Sequence, residues 1–145
     1  MSFKFKLQKI LEMSEHEKLK AEKEFTQATR QFEEVATKLY ELLKKKENYD
    51  NDYRTRMEMG ISISDIQQSH TILNQLQKQI NQLQIYTQKA RENMNVKQEL
   101  LVEKSIELKK YEKMKQIKYD YYLEEVKRQD DILMDEISVQ QFMNR

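Results

Sequence analysis

The chain holds one glycine, Gly60, and no proline in 145 residues. A chain of this length would ordinarily carry roughly ten glycines and seven prolines. Their near-absence removes the usual turn chemistry, and a sheet, which needs frequent turns, is excluded as the main architecture. What is left is rich in Glu, Lys, Gln and Leu, all good helix formers. Charged residues make up 35% and hydrophobic residues 38%. That is too polar for a thick core and apolar enough to cover one stripe of a long helix.

The stripe repeats every seven residues. Before Gly60 one row is Leu7, Ser14, Ala21, Ala28, Val35, Leu42 and Tyr49, and the second is Leu11, Lys18, Phe25, Phe32, Leu39, Lys46 and Tyr53. Steps alternating between four and three make a coiled-coil seam. After the glycine the rows are Ile66, Leu73, Ile80, Thr87, Met94, Leu101, Leu108 and Ser69, Leu76, Leu83, Ala90, Lys97. Beyond Tyr111 the register slips, and Tyr119, Val126 and Leu133 continue with Tyr122, Leu123 and Ile137 nearby; such a slip changes the supercoil locally.

Between the seams, Gly60 takes a positive φ cheaply and closes the first helix. Ser62 suits the N-cap of the second, with Asp65 three residues on. The reading is all-α: one long antiparallel two-helix coiled-coil hairpin over 1–145, with helix 1 at about 3–58, the turn at about 59–62 and helix 2 at about 63–140. The competing reading is one continuous helix that dimerises, with Gly60 tolerated inside it at about 1 kcal/mol. At 1.5 Å per residue the arms would be roughly 80 and 115 Å long, and residue i would face roughly 122 − i. Leu42 then faces Ile80, Phe25 faces Lys97 and Phe3 reaches Tyr119. About twenty-five C-terminal residues would overhang without a partner in the chain. That leaves Tyr122, Leu123, Val126, Leu133 and Ile137 as an apolar stripe for something else to cover.

Net charge is +1, so no global field points to nucleic acid or an anionic membrane. Lysines and tyrosines do interleave in KKYEKMKQIKYDYY (109–122), but acidic residues neutralise the local field. No apolar run reaches signal-peptide or membrane-spanning length, which predicts no insertion into a membrane. Cysteine is absent, which excludes disulfides and thiolate metal sites and fits a reducing compartment. Neither His16 nor His70 sits in a catalytic or metal-binding pattern, and no nucleotide-binding or nucleophile signature is present. The chain reads as a non-enzyme without cofactor or metal. Lys104, Lys109, Lys110, Lys113, Lys115 and Lys118 form a basic band, followed by an acidic one at Asp130, Asp131, Asp135 and Glu136. Such bands suit a partner of complementary charge, and charged flanks also serve solubility.

Four stretches resemble the family of the flagellar export protein FliJ: FKFKLQKILEMSEHEKLKAEKEF at the start, KLYELLKKKENYDNDYR (38–54), GISISDI with HTILNQLQKQI (70–80), and DDILMDEISVQQF (130–142). Their order and spacing span essentially the whole chain. The resemblance implies a cytoplasmic component of the flagellar type III export apparatus, peripheral to the inner face of the cell membrane at the flagellar base. It implies a stalk-like shape, binding and activation of the hexameric export ATPase, contact with the cytoplasmic domain of the export gate, and a part in recycling export chaperones. By residue type, the family's gate contacts fall on Leu42, Tyr49, Ile72 and Leu76, with departures at Lys45 and Gln79 and with Tyr53 as an alternative to Tyr49. Leu42, Tyr49 and Leu76 also lie in the seam rows, whereas Ile72 lies off them. The overhang and the resemblance together point to Lys109, Lys113, Lys115, Lys118, Tyr122, Leu123, Val126 and Leu133 as the face toward the ATPase ring. The alternative is a coiled-coil scaffold that homodimerises through the overhang without ATPase coupling; the stalk reading expects a monomer when isolated.

Overall fold

A computed structural model describes residues 2–144; Met1 and Arg145 of the 1–145 span lie outside the described residues. The fold is all-α, with α1 at Gln8–Met59 and α2 at Ile63–Met143. The residues cluster into two compact units. One comprises the N-terminal residues up to Lys20 and those from Val102 on, and the other is Ala21–Leu101.

Ala21–Leu101 contains the reversal. Gly60 has φ of 87° and donates its N–H to the Met57 carbonyl at 3.1 Å. This left-handed residue stops α1 and satisfies one of its last carbonyls. Ser62 starts α2: its Oγ accepts the Asp65 N–H at 3.2 Å, and its carbonyl accepts the Ile66 N–H at 3.1 Å. Two short-range signals thus fix the turn, and the helices on either side run antiparallel. Glu24 meets Lys97 at 3.6 Å, Arg91 sits 5.4 Å over the Phe32 ring, and Tyr49 donates to Ser69 Oγ at 3.3 Å.

Both seams are covered as the heptad pattern requires. Every member of the rows named above, from Leu7 to Tyr53 and from Ile66 to Leu108, is buried or half-buried. Ile80 is the most enclosed, at 1% exposure. Burying such a side chain is worth about 1.5–3 kcal/mol. Ser14, Ala21 and Ala28 are buried in a row, and their small side chains let the facing helix approach. Lysines in the seam run their stems along it and carry their heads to polar partners. Lys46 reaches Gln77, and Lys97 reaches Glu24. These cross-helix pairs penalise any other register, because a shifted lysine would lose its partner.

In the other unit, Glu17 and Lys104 pair at 3.0 Å. The Lys104 ammonium titrates above its ordinary value. The Glu17 hydrogen bond and charge are the main causes, partial burial opposes them, and the Glu107 and Glu103 charges add to them. Here α1 does not begin at residue 3. Residues 2–5 are irregular, a turn follows, and the Gln8 N–H bonds to the Phe5 carbonyl at 3.1 Å. The reason is legible in FKFKL: Phe3, Phe5 and Leu7 are half-buried while Lys4 and Lys6 are exposed. That is a period of two, which an extended strap satisfies and a helix does not. The Phe3 ring lies 5.2 Å from Tyr119 and 5.6 Å from Tyr122. The expected meeting of Phe3 with Tyr119 is present. Tyr122, expected in the uncovered stripe, is instead half-buried against the strap. Extended chain advances about 3.3 Å per residue against 1.5 Å for helix, so the strap covers more of α2 than a helical turn would.

Candidate functional site

Three surfaces remain that the fold itself does not use. The first is the C-terminal stretch of α2. From Lys127 to Asn144 every described residue is exposed. Leu133 is 54% and Phe142 76% exposed. Val126 is half-buried and Leu123 exposed. Successive helical residues are about 100° apart, so Val126, Leu133 and Ile137 continue the seam side, while Ile132 and Val139 lie on a neighbouring face. Among the expected ATPase-facing lysines, Lys109, Lys113 and Lys118 project into solvent and Lys115 is half-buried. Asp130, Asp131, Asp135 and Glu136 have no ion pair among the described residues.

The second surface is the tip of Ala21–Leu101. Met57, Met59 and Ile63 are exposed around the turn, Met59 at 85%. The sequence reading passed over them, although apolar residues either side of a lone glycine are a visible signal. Of the four residues matched to gate contacts, Leu42, Tyr49 and Ile72 are half-buried and reachable from outside. Leu76 is closed in the seam at 6% exposure. Tyr49 is tied down on both sides, by its bond to Ser69 and by Arg56 at 5.9 Å over its ring. The structure thus leaves Ile72 and Tyr49 partly exposed and encloses Leu76. His70 stacks its exposed ring edgewise on Tyr53 at 6.0 Å, and His16 is exposed.

The third surface is a pocket of about 370 Å³ beneath the strap, floored by Phe3, Phe5, Leu7 and Met114 and rimmed by Lys4, Lys6 and Lys118. It is apolar at the base and basic at the edge. Among the described residues no cluster of His, Cys, Asp or Glu could hold a metal, and no helix is long and apolar enough to cross a membrane. Each of the three surfaces sets apolar side chains beside charged ones.

Comparisons with known proteins give the family. The family model described as the flagellar FliJ protein matches residues 3–145. The flagellar FliJ protein of Bacillus subtilis (strain 168) is 36% identical over 143 residues, covering 99% of this chain and 97% of that protein. This chain belongs to the FliJ family. No solved structure matches it significantly.

Proposed function

We propose that the chain is the stalk-like component of the flagellar type III export apparatus. In this reading it binds and activates the hexameric export ATPase, links it to the export gate and takes part in recycling export chaperones. It works in the cytoplasm, at the inner face of the membrane at the flagellar base. Family membership supplies the flagellar setting. The observation that carries the reading is the end of α2: a helix whose exposed apolar side chains and acidic band have no partner among the described residues. A helix without packing is marginal in water, so a segment of this kind makes physical sense when a second protein encloses it.

Val126 and Leu133 would enter the ATPase ring, with Leu123, Tyr122 and the lysines at 109, 113, 115 and 118 along the rim. A near-neutral stalk with separate basic and acidic bands orients itself in a ring lumen without binding it irreversibly. At the other surface, Ile72, Tyr49 and Leu42 would meet the gate, with Leu76 holding them in place.

The test is a chain ending at Arg128. It keeps the strap and the Phe3–Tyr119–Tyr122 cluster, and its retained fold is checked by circular dichroism. The reading predicts that it no longer stimulates the purified export ATPase, while a chain with Ile72→Asp stimulates normally and loses gate binding. Full stimulation by the shortened chain would overturn the ATPase assignment.

A further inference from the structure

The strap and α2 enclose an apolar pocket whose lining carries charge of one sign only. Its floor is Phe3, Phe5, Leu7 and Met114, and its rim is Lys4, Lys6 and Lys118. No acidic residue lines it, and the first turn of α1, which starts next to Leu7, holds none either. The three lysines are exposed, and none is in an ion pair or hydrogen bond among the described residues. Asp120, the nearest acid after Lys118 in the chain, is bonded by Gln116 at 3.0 Å instead of by the rim. The N-terminal end of a helix adds positive potential of its own. The site therefore suits a carboxylate carried beside an apolar group.

The pocket's size and cover narrow the occupant further. At about 370 Å³ it is near the lower end for ligand sites. Its cover is fastened at both ends, by the Phe3 ring on Tyr119 at 5.2 Å and by the Gln8 N–H on the Phe5 carbonyl at 3.1 Å. Phe3 to Phe5 spans only about 7 Å of extended chain. That is too little to bridge a helix, which is about 10–12 Å across, but enough to cover one aromatic or aliphatic side chain. We infer that the pocket is a docking socket for the ATPase ring, taking one apolar side chain flanked by Asp or Glu, and that docking there is separate from activation by the end of α2. This rests on the ATPase reading above and shares Lys118 with the rim assigned there; Lys4, Lys6, Phe5 and Met114 join it. The separation follows from position. The pocket lies wholly before Arg128, whereas the stretch with every described residue exposed lies after it. A socket that holds the chain at the ring raises the effective concentration of that stretch in the lumen. The socket sets how much chain is needed, and the end of α2 sets how far the ATPase is driven.

Hydrolysis by the purified export ATPase, followed as each chain is titrated in, separates the two. Lys4→Glu with Lys6→Glu reverses the rim, and Met114→Trp fills the floor without changing charge. Lys20→Glu with Lys23→Glu makes the same charge change about 20 Å away along α1. All five positions are exposed, and circular dichroism checks that each variant keeps the native helix content. Both pocket variants should raise the concentration for half-maximal stimulation about tenfold or more and leave the plateau unchanged. The Lys20 and Lys23 variant should shift it by less than about twofold, since charges that far from the contact are screened. The chain ending at Arg128 should not stimulate. In excess it should still compete with the full chain, and it should lose that competition when it also carries Lys4→Glu and Lys6→Glu. Pocket variants that titrate like wild type, a Lys20 and Lys23 variant that shifts as far as they do, or a shortened chain that does not compete would each overturn the socket and leave the ATPase reading standing. No stimulation by the wild-type chain would overturn that reading, and the socket with it.

Discussion

The stretch of α2 from Ile66 to Leu101 and the stretch from Lys127 to Met143 are both regular helix, but they are held by different physics. The first buries a heptad stripe against α1 and exchanges hydrogen bonds and charges with it at Tyr49, Gln77 and Lys97. The second displays its apolar residues to solvent, with one local ion pair near its start, between Arg128 and Glu125 at 2.8 Å. Backbone hydrogen bonds are the same in both. What differs is tertiary burial, which supplies most helix stability in proteins. Burial ends near Val126, while the helix continues with its apolar residues exposed.

That contrast breaks first at the best-buried residue. Ile80→Ala should destabilise the chain by about 2–4 kcal/mol, read as a shift in urea midpoint by circular dichroism. Ile132→Ala, the same chemistry on the uncovered stretch, should stay within about 0.5 kcal/mol of wild type. Equal losses at the two positions would erase the distinction. Next comes the turn. An added Cβ at Gly60 would meet nothing within 4 Å, so Gly60→Ala is strained through φ alone. The expected loss is about 1 kcal/mol, and no loss would mean that the turn is not held in the left-handed conformation. Ser14→Ala goes the other way. The Ser14 hydroxyl is buried and has no hydrogen-bond partner among the described residues. Removing it should raise stability by about 0.5–1 kcal/mol in the same denaturation experiment.

The smallest effect is electrostatic. Glu17 holds the Lys104 ammonium above the ordinary lysine value. A raised folded-state value means that the pair's contribution is fully present below the ordinary lysine range and is lost as pH rises through the raised value. Lys104→Gln should therefore be less stable than wild type near neutrality, and the gap should close in strongly alkaline buffer. A gap unchanged across that range would place Lys104's effect in packing of its stem.

Much of this was legible in the residues. The heptad rows named before the structure are the residues it buries, because a two-helix contact has one interface and its period writes itself into the sequence. The turn was equally legible, since a lone glycine followed by a capping serine has few structural uses. The strap was misread for a physical reason. Five residues, FKFKL, carry both the aromatic start of a helix and an alternation of period two, and the helical composition around them outweighed the alternation. The expectation of an uncovered Tyr122 has the same cause, because a helical start at residue 3 stops short of it. The charge bands were visible in the residues as well. Leu76 illustrates the remaining limit: its type matches a partner contact, and only its 6% exposure separates support from surface.

Amide hydrogen exchange resolved along the full chain tests the central distinction most directly. The account predicts slow exchange through the seam residues 66–101 and exchange at least a hundredfold faster across 127–143, where opening disrupts no tertiary contact. Equal protection along the whole of α2 would contradict it, since the far end would then be stabilised by the fold itself and would not be a surface awaiting a partner.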